Sequence, residues 1–196
     1  MRSPATSSKS ILSHIPALDG VRGLAMLVVL VHNTAWVIDP SQNFLLKVTS
    51  AVASAGWGSV QLFFVLSGFL ITRILLEAQG SDSYFRTFFT RRALRIFPLY
   101  YLSLIVAVFV LPRLIGASEF SERIHANQWW HWFYLSNWAS PFGHTVPGMA
   151  HFWSVAVEEQ FYLVWPFVVF FVPKRRLAMV CGAVLIATPL IRWGIR

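Results

Sequence analysis

The chain has 196 residues, 56% of them hydrophobic and only 12% charged, with a mean hydropathy of +0.59. Soluble domains carry roughly 25% charged residues, so this composition excludes an ordinary soluble domain and points to a bilayer. A formal charge of +8 does not read as a nucleic-acid footprint, because the arginines sit at the ends of apolar runs, and the lone Cys181 excludes a disulfide framework.

Five apolar runs follow a polar segment, residues 1–14, read as a short cytoplasmic tail. They cover residues 17–38, 57–76, 96–115, 149–172 and 177–195. A span needs about 20 mostly apolar residues, and in lipid only helices or closed barrels satisfy the backbone. The runs are continuous rather than alternating, which argues against a barrel. The expected fold is therefore an all-α integral membrane protein of about five transmembrane helices, forming one domain over residues 1–196. Charge sets the expected orientation. With the N-terminus inside, eleven Lys and Arg residues are cytoplasmic and five lie outside, so the positive-inside rule favours a cytoplasmic N-terminus.

Ionisable groups inside spans are costly and mark function by default. In the first run, Arg22 is followed ten residues later by His32, roughly 15 Å further along a helix. Before the third run lies FFTRRALRIFPLYY, where Arg92 and Arg95 are i, i+3 neighbours on one helix face. Two guanidiniums on one face can grip a phosphate through paired N–H groups, although such arginines also anchor helices to anionic lipid. The fourth run, HFWSVAVEEQFYLVWP, carries Glu158 and Glu159. Adjacent helical positions point about 100° apart, so the two carboxylates do not face one site. Glu158 shares a face with Tyr162, and its depth complements that of His32. The Trp-rich stretch Trp129, Trp130, Trp132, Tyr134 and Trp138 reads as an interfacial aromatic belt, with a saccharide platform as the alternative. No HExxH spacing is present, so no metal site is expected, and Ser67 lacks the glycine of a nucleophile elbow.

Four blocks, IPALDGVRGLAMLVVLVHN, FFVLSGFLIT, RRALRIFPLYY and FWSVAVEEQFYLVWP, follow one another in order. Together they resemble the membrane acyltransferase 3 family, which includes bacterial O-acetyltransferases of surface polysaccharides. The resemblance implies transfer of an acyl group, acetyl above all, from a cytoplasmic acyl-CoA to a hydroxyl of a carbohydrate or lipid-linked saccharide. It implies a multi-pass protein of the inner (plasma) membrane, with acyl-CoA as a donor substrate and no tightly bound cofactor. By the same resemblance, His32, Glu158 and Glu159 are the catalytic candidates. Arg22, Arg92 and Arg95 are the candidates for holding the acyl donor. Family members are longer, which implies a truncated or partial member. The rival expectation is a non-catalytic remnant or a proton-coupled transporter using the intramembrane histidine and glutamate.

One departure bears on the site. The family's spacing from its basic residue to its histidine is one residue longer than here, which puts Asn33 at the family's position. Ten steps of 100° leave His32 about 80° from the face of Arg22. Because an amide is neither a base nor an acyl carrier, the reading assigns His32 and expects an over- or under-wound turn between the two residues.

Overall fold

A computed structural model describes residues 16–34, 56–116 and 118–194. Every regular element among them is helical: α1 (Pro16–Thr34), α2 (Gly56–Ala78), α3 (Tyr84–Ile105), α4 (Leu111–Ile115), α5 (Glu119–Trp132), α6 (Ser136–Ala139), α7 (Phe152–Phe171) and α8 (Lys174–Gly194). The 1–14 tail lies outside the described residues. Three rods among the described residues are long and apolar enough to cross a bilayer: α2, α7 and the continuous helix Tyr84–Ile115. The apolar stretch of α1, Gly23–His32, is shorter. Exposed Leu24, Met26, Leu27 and Leu30 on α1, and Leu163, Val164 and Phe171 on α7, fit a membrane-embedded chain whose outer faces meet lipid.

The third rod begins twelve residues before the apolar run that announces it, at Tyr84 rather than Ile96. Arg86, Arg91, Arg92 and Arg95 depress the hydropathy of its opening turns without breaking the helix. The true breaker lies earlier. Gly80, at φ +89°, turns the chain out of α2, and the Tyr84 N–H then bonds the Ser81 carbonyl, 3.1 Å away, to start α3. Near its far end the rod passes through a π-helical turn, Val106–Val110, before α4. Pro112 explains it, because proline has no N–H and its ring clashes with the carbonyl four residues back. Widening the preceding turn absorbs that misfit.

The fold divides into two compact units, with the boundary between Ser67 and Gly68 inside α2. In the second unit, two apolar clusters share the same two rods. One joins Tyr100, Leu104 and Val108 of the third rod to Ile124 of α5 and Phe152 of α7. The other joins Ile71 and Leu75 of α2, Tyr84 and Phe88 of α3, Tyr162 and Val169 of α7, and Leu177 of α8. Thus α3 and α7 run antiparallel through both clusters, and Ile96 packs against each. Polar side chains seal the joints. Gln79 donates to the Val169 carbonyl at 2.6 Å, one of the last-turn acceptors α7 cannot use itself. Trp165 donates to Thr72 at 2.7 Å. The seam between the two clusters is where the polar residues of α3 and α7 meet.

Candidate functional site

The α2–α3 hairpin encloses a cavity of about 310 Å³. Ile74, Leu75 and Phe88 supply an apolar wall, and Arg91, Arg92 and Arg95 line the same space. The structure therefore brings Arg92 and Arg95 together, as their spacing requires, and adds Arg91 one residue away. Hydroxyls of Ser81, Ser83 and Thr87 complete the lining. Thr87 lies 3.2 Å from Ser83, and Ser83 lies 3.3 Å from Ser81. Among the described residues, Arg91 and Arg95 form no ion pair. Their charges face the cavity and solvent, which suits an anionic ligand.

Arg92 turns inward. Its guanidinium carbon lies 5.0 Å from the Tyr162 ring centroid and 5.7 Å from that of Phe88, both within cation–π range. The Tyr162 hydroxyl donates a hydrogen bond to Glu158. One buried tyrosine on α7 thus links a cavity arginine to a carboxylate of the EEQ block. The shared face of Glu158 and Tyr162, read from their i, i+4 spacing, is what makes this bond possible.

Glu159 takes a different direction. The buried positions of α7 are Phe152, Ala156, Tyr162, Pro166 and Val169, a stripe with helical period that faces α3. Glu159 falls on that stripe, between Ala156 and Tyr162. Its Oε1 is buried and has no hydrogen-bond partner. Arg92 lies within electrostatic reach of it. Seven residues into α7, Glu159 stands roughly 10 Å from the helix start.

Beyond Glu159 lies a group that the sequence reads as an interfacial aromatic belt, with a saccharide platform as the alternative. Tyr134, just after α5, adopts φ +53°, the single positive φ among the described non-glycine residues. Its carbonyl accepts from Gln160 at 2.8 Å, and Gln160 is paired to Asn137 by bonds of 2.9 and 3.3 Å. Its ring stacks on Tyr100, 4.2 Å between centroids. Burial first, then Tyr101 and Glu159, raise the Tyr134 phenol above its ordinary range. Tyr101 also meets the buried Tyr134 hydroxyl, which adds to the rise. Tyr100 donates to the His131 carbonyl at 2.7 Å, and His131 is itself only 3% exposed. Gln160, adjoining the glutamates, was the sequence signal that the block contacts a polar partner rather than lipid.

The first unit holds His32 and Arg22 on α1. Helix α1 is α-helical from Pro16 to Thr34 without a π or 3₁₀ turn. The expected over- or under-winding between Arg22 and His32 is therefore not found. With regular 100° steps, the two positions diverge by about 80° around the helix. Half-buried His32 instead packs against the start of α2. A Cβ built on Gly56 would lie 2.2 Å from His32 Cγ and 2.6 Å from Nδ1, so only glycine fits beside the imidazole.

A multi-span helical protein with an arginine-lined cavity and a polar seam inside its apolar core is the class these features define. Comparison with known proteins gives the family. The family model described as "Acyltransferase domain" matches residues 15–194, and the chain belongs to that family. It is 34% identical to YrhL of Bacillus subtilis, provisionally named a peptidoglycan O-acetyltransferase. It is 31% identical to the peptidoglycan O-acetyltransferase OatA of Listeria monocytogenes, and each alignment covers 89% of this chain and 28% of the relative. The O-acetyltransferase OatA of Staphylococcus aureus is 30% identical, over 83% of the chain and 26% of that protein. The chain thus spans under a third of the length of these relatives. No solved structure matches it.

Proposed function

We propose that this chain carries the membrane part of an O-acetyltransferase of the inner (plasma) membrane. The acceptor is a hydroxyl of a cell-envelope carbohydrate, with peptidoglycan, named in the relatives, as its chemical type. The donor is an acyl-CoA, acetyl-CoA in the first instance, held by its phosphates. The observation that carries the reading is the three-arginine cavity, joined through Arg92 and Tyr162 to Glu158 at the seam between the two apolar clusters. A polyphosphate needs planar paired donors and hydroxyls, and the cavity offers both. Arg22 is the further donor-binding candidate.

In the reaction, the acceptor oxygen attacks the thioester carbonyl, the C–O bond forms, the C–S bond breaks, and the thiolate leaves. His32 takes the acceptor proton and returns it to sulfur, or carries the acyl group between the two. A histidine suits this because its ordinary pKa of about 6.5 lets it exchange protons near neutral pH. Glu158 and Glu159 orient the reacting groups.

The test separates binding from anchoring. In nanodiscs, Arg92→Lys with Arg95→Lys keeps the charge and loses the planar fork. Acetyl-CoA affinity should fall at least tenfold, about 1.4 kcal/mol, while insertion is unchanged. Equal affinity in the double variant would leave these arginines as anchors and remove the donor reading.

A further inference from the structure

We infer that the groove between the end of α2 and the start of α8 is a binding site for one anionic phospholipid. The inference does not rest on the arginine cavity, to which α2 contributes Ile74, Leu75 and Ala78 instead.

The groove has a volume of about 460 Å³ and is lined by Phe69, Thr72, Arg73, Leu76 and Glu77 of α2 and by Lys174 of α8. The α2 positions recur at intervals of three and four residues, so they form one face of the helix. The walls are tied to each other, because Ile71 and Leu75 of α2 share an apolar cluster with Leu177 of α8. Both walls also belong to one end of the bundle. Gln79, just past α2, bonds the Val169 carbonyl in the last turn of α7, the helix that leads into α8.

Polarity along the groove follows the order of a phospholipid. From Glu77 to Phe69 the face runs eight residues, roughly 12 Å along the helix axis. Charge gathers at the mouth, where Arg73 pairs with Glu77 at 2.8 Å. Lys174 and its neighbours Arg175 and Arg176 form no ion pair among the described residues. The mouth's carboxylate is thus already matched, and the positive charge in excess of it suits a lipid phosphate. Below the mouth nothing asks for a hydrogen bond. The Thr72 hydroxyl donates to the Gly68 carbonyl at 2.6 Å and accepts from Trp165 at 2.7 Å. What remains is Leu76 and the exposed Phe69, an apolar wall for an acyl chain. In a bilayer some lipid must cover that wall, and the cationic mouth selects an anionic one. General anchoring by surface arginines depends on how many charges there are, whereas this groove depends on where Lys174 stands.

The experiment uses the full chain in a mild detergent, phosphatidylglycerol as the probe, and native mass spectrometry to count lipids per chain. Phosphatidylglycerol should bind at one per chain, at least tenfold tighter than phosphatidylcholine with the same acyl chains. Lys174→Gln should weaken phosphatidylglycerol about fivefold, the effect of one basic residue at an anionic lipid surface. Phe69→Ala should weaken both lipids alike. Lys174 and Phe69 are exposed, so neither change should move the Tm of the lipid-free chain. Arg86→Gln removes the same charge from an exposed position of α3 outside the groove, and should leave affinity within twofold. Equal losses in Arg86→Gln and Lys174→Gln would reduce the effect to diffuse charge and overturn the site. So would equal binding of the two lipids. Displacement of the lipid by millimolar inorganic phosphate would leave an anion site and overturn the lipid.

Discussion

His32 and Gly56 show how a single hydrogen atom can decide where a reactive group sits. An alanine at Gly56 places its methyl 2.2 Å from Cγ and 2.3 Å from Cβ of His32. Those are the near atoms of the side chain, so rotation cannot relieve the clash and one helix must shift. Overpacking of this kind costs about 1–3 kcal/mol. Gly56→Ala should lower Tm by several degrees and reduce acetyl transfer nearly as far as His32→Ala. Gly58→Ala, where a Cβ meets nothing within 4 Å, is the matched control and should be silent. Transfer that survives Gly56→Ala would show that the position of His32 is immaterial. The regular α1 sharpens the question posed by Asn33, which the resemblance puts at the family's position. If His32 is the base, His32→Ala abolishes transfer and Asn33→Ala leaves much of it. The reverse result would remove His32 from the reaction.

At the level of elements, run length made α2 and α7 legible, because continuous apolar runs of about 20 residues have few other solutions in lipid. The start of α3 was not, since hydropathy weighs arginine as a boundary whereas a helix tolerates it well. The stripe that aims Glu159 at α3 was partly readable from the 100° rule, but which neighbour each glutamate meets depends on how α3 and α7 cross. The group at the end of α5 was hidden, because a left-handed tyrosine has no sequence signature. Helix α5 also yields a pH test. Burial lowers the pKa of His131 below its ordinary 6.5; the nearby Asn127 carbonyl opposes the shift and His151 adds to it. The unfolded chain then binds the proton more readily, so stability is full above about pH 6.5 and declines as pH falls below it. Melting from pH 7.5 to 5.5 should show this fall in the parent. His131→Gln should reduce it, leaving the share of His151, which burial lowers in the same direction, and an unchanged slope would place the titrating group elsewhere.

For the whole molecule the open matter is which way the rods cross. Family, helical class and membrane embedding were all legible in four sequence blocks and the composition. Orientation rests on charge alone, eleven basic residues against five. The third rod makes the question decidable. It runs for 32 residues, about 48 Å, which exceeds a hydrocarbon core of about 30 Å, so its two ends emerge on opposite sides. Ser81 precedes the arginine-rich end and Ser118 follows the other, at the start of α5, and both ends lie in the second unit. Half-buried Cys181 is first replaced by alanine to remove background. With the N-terminus cytoplasmic, Ser118→Cys should react in intact cells with a thiol reagent that cannot cross the membrane, and Ser81→Cys only after the cells are opened. This orientation also puts the arginine cavity on the side where acyl-CoA is made, as the proposed donor requires. Labelling at Ser81→Cys from outside, with none at Ser118→Cys, would invert the topology and separate the cavity from its donor.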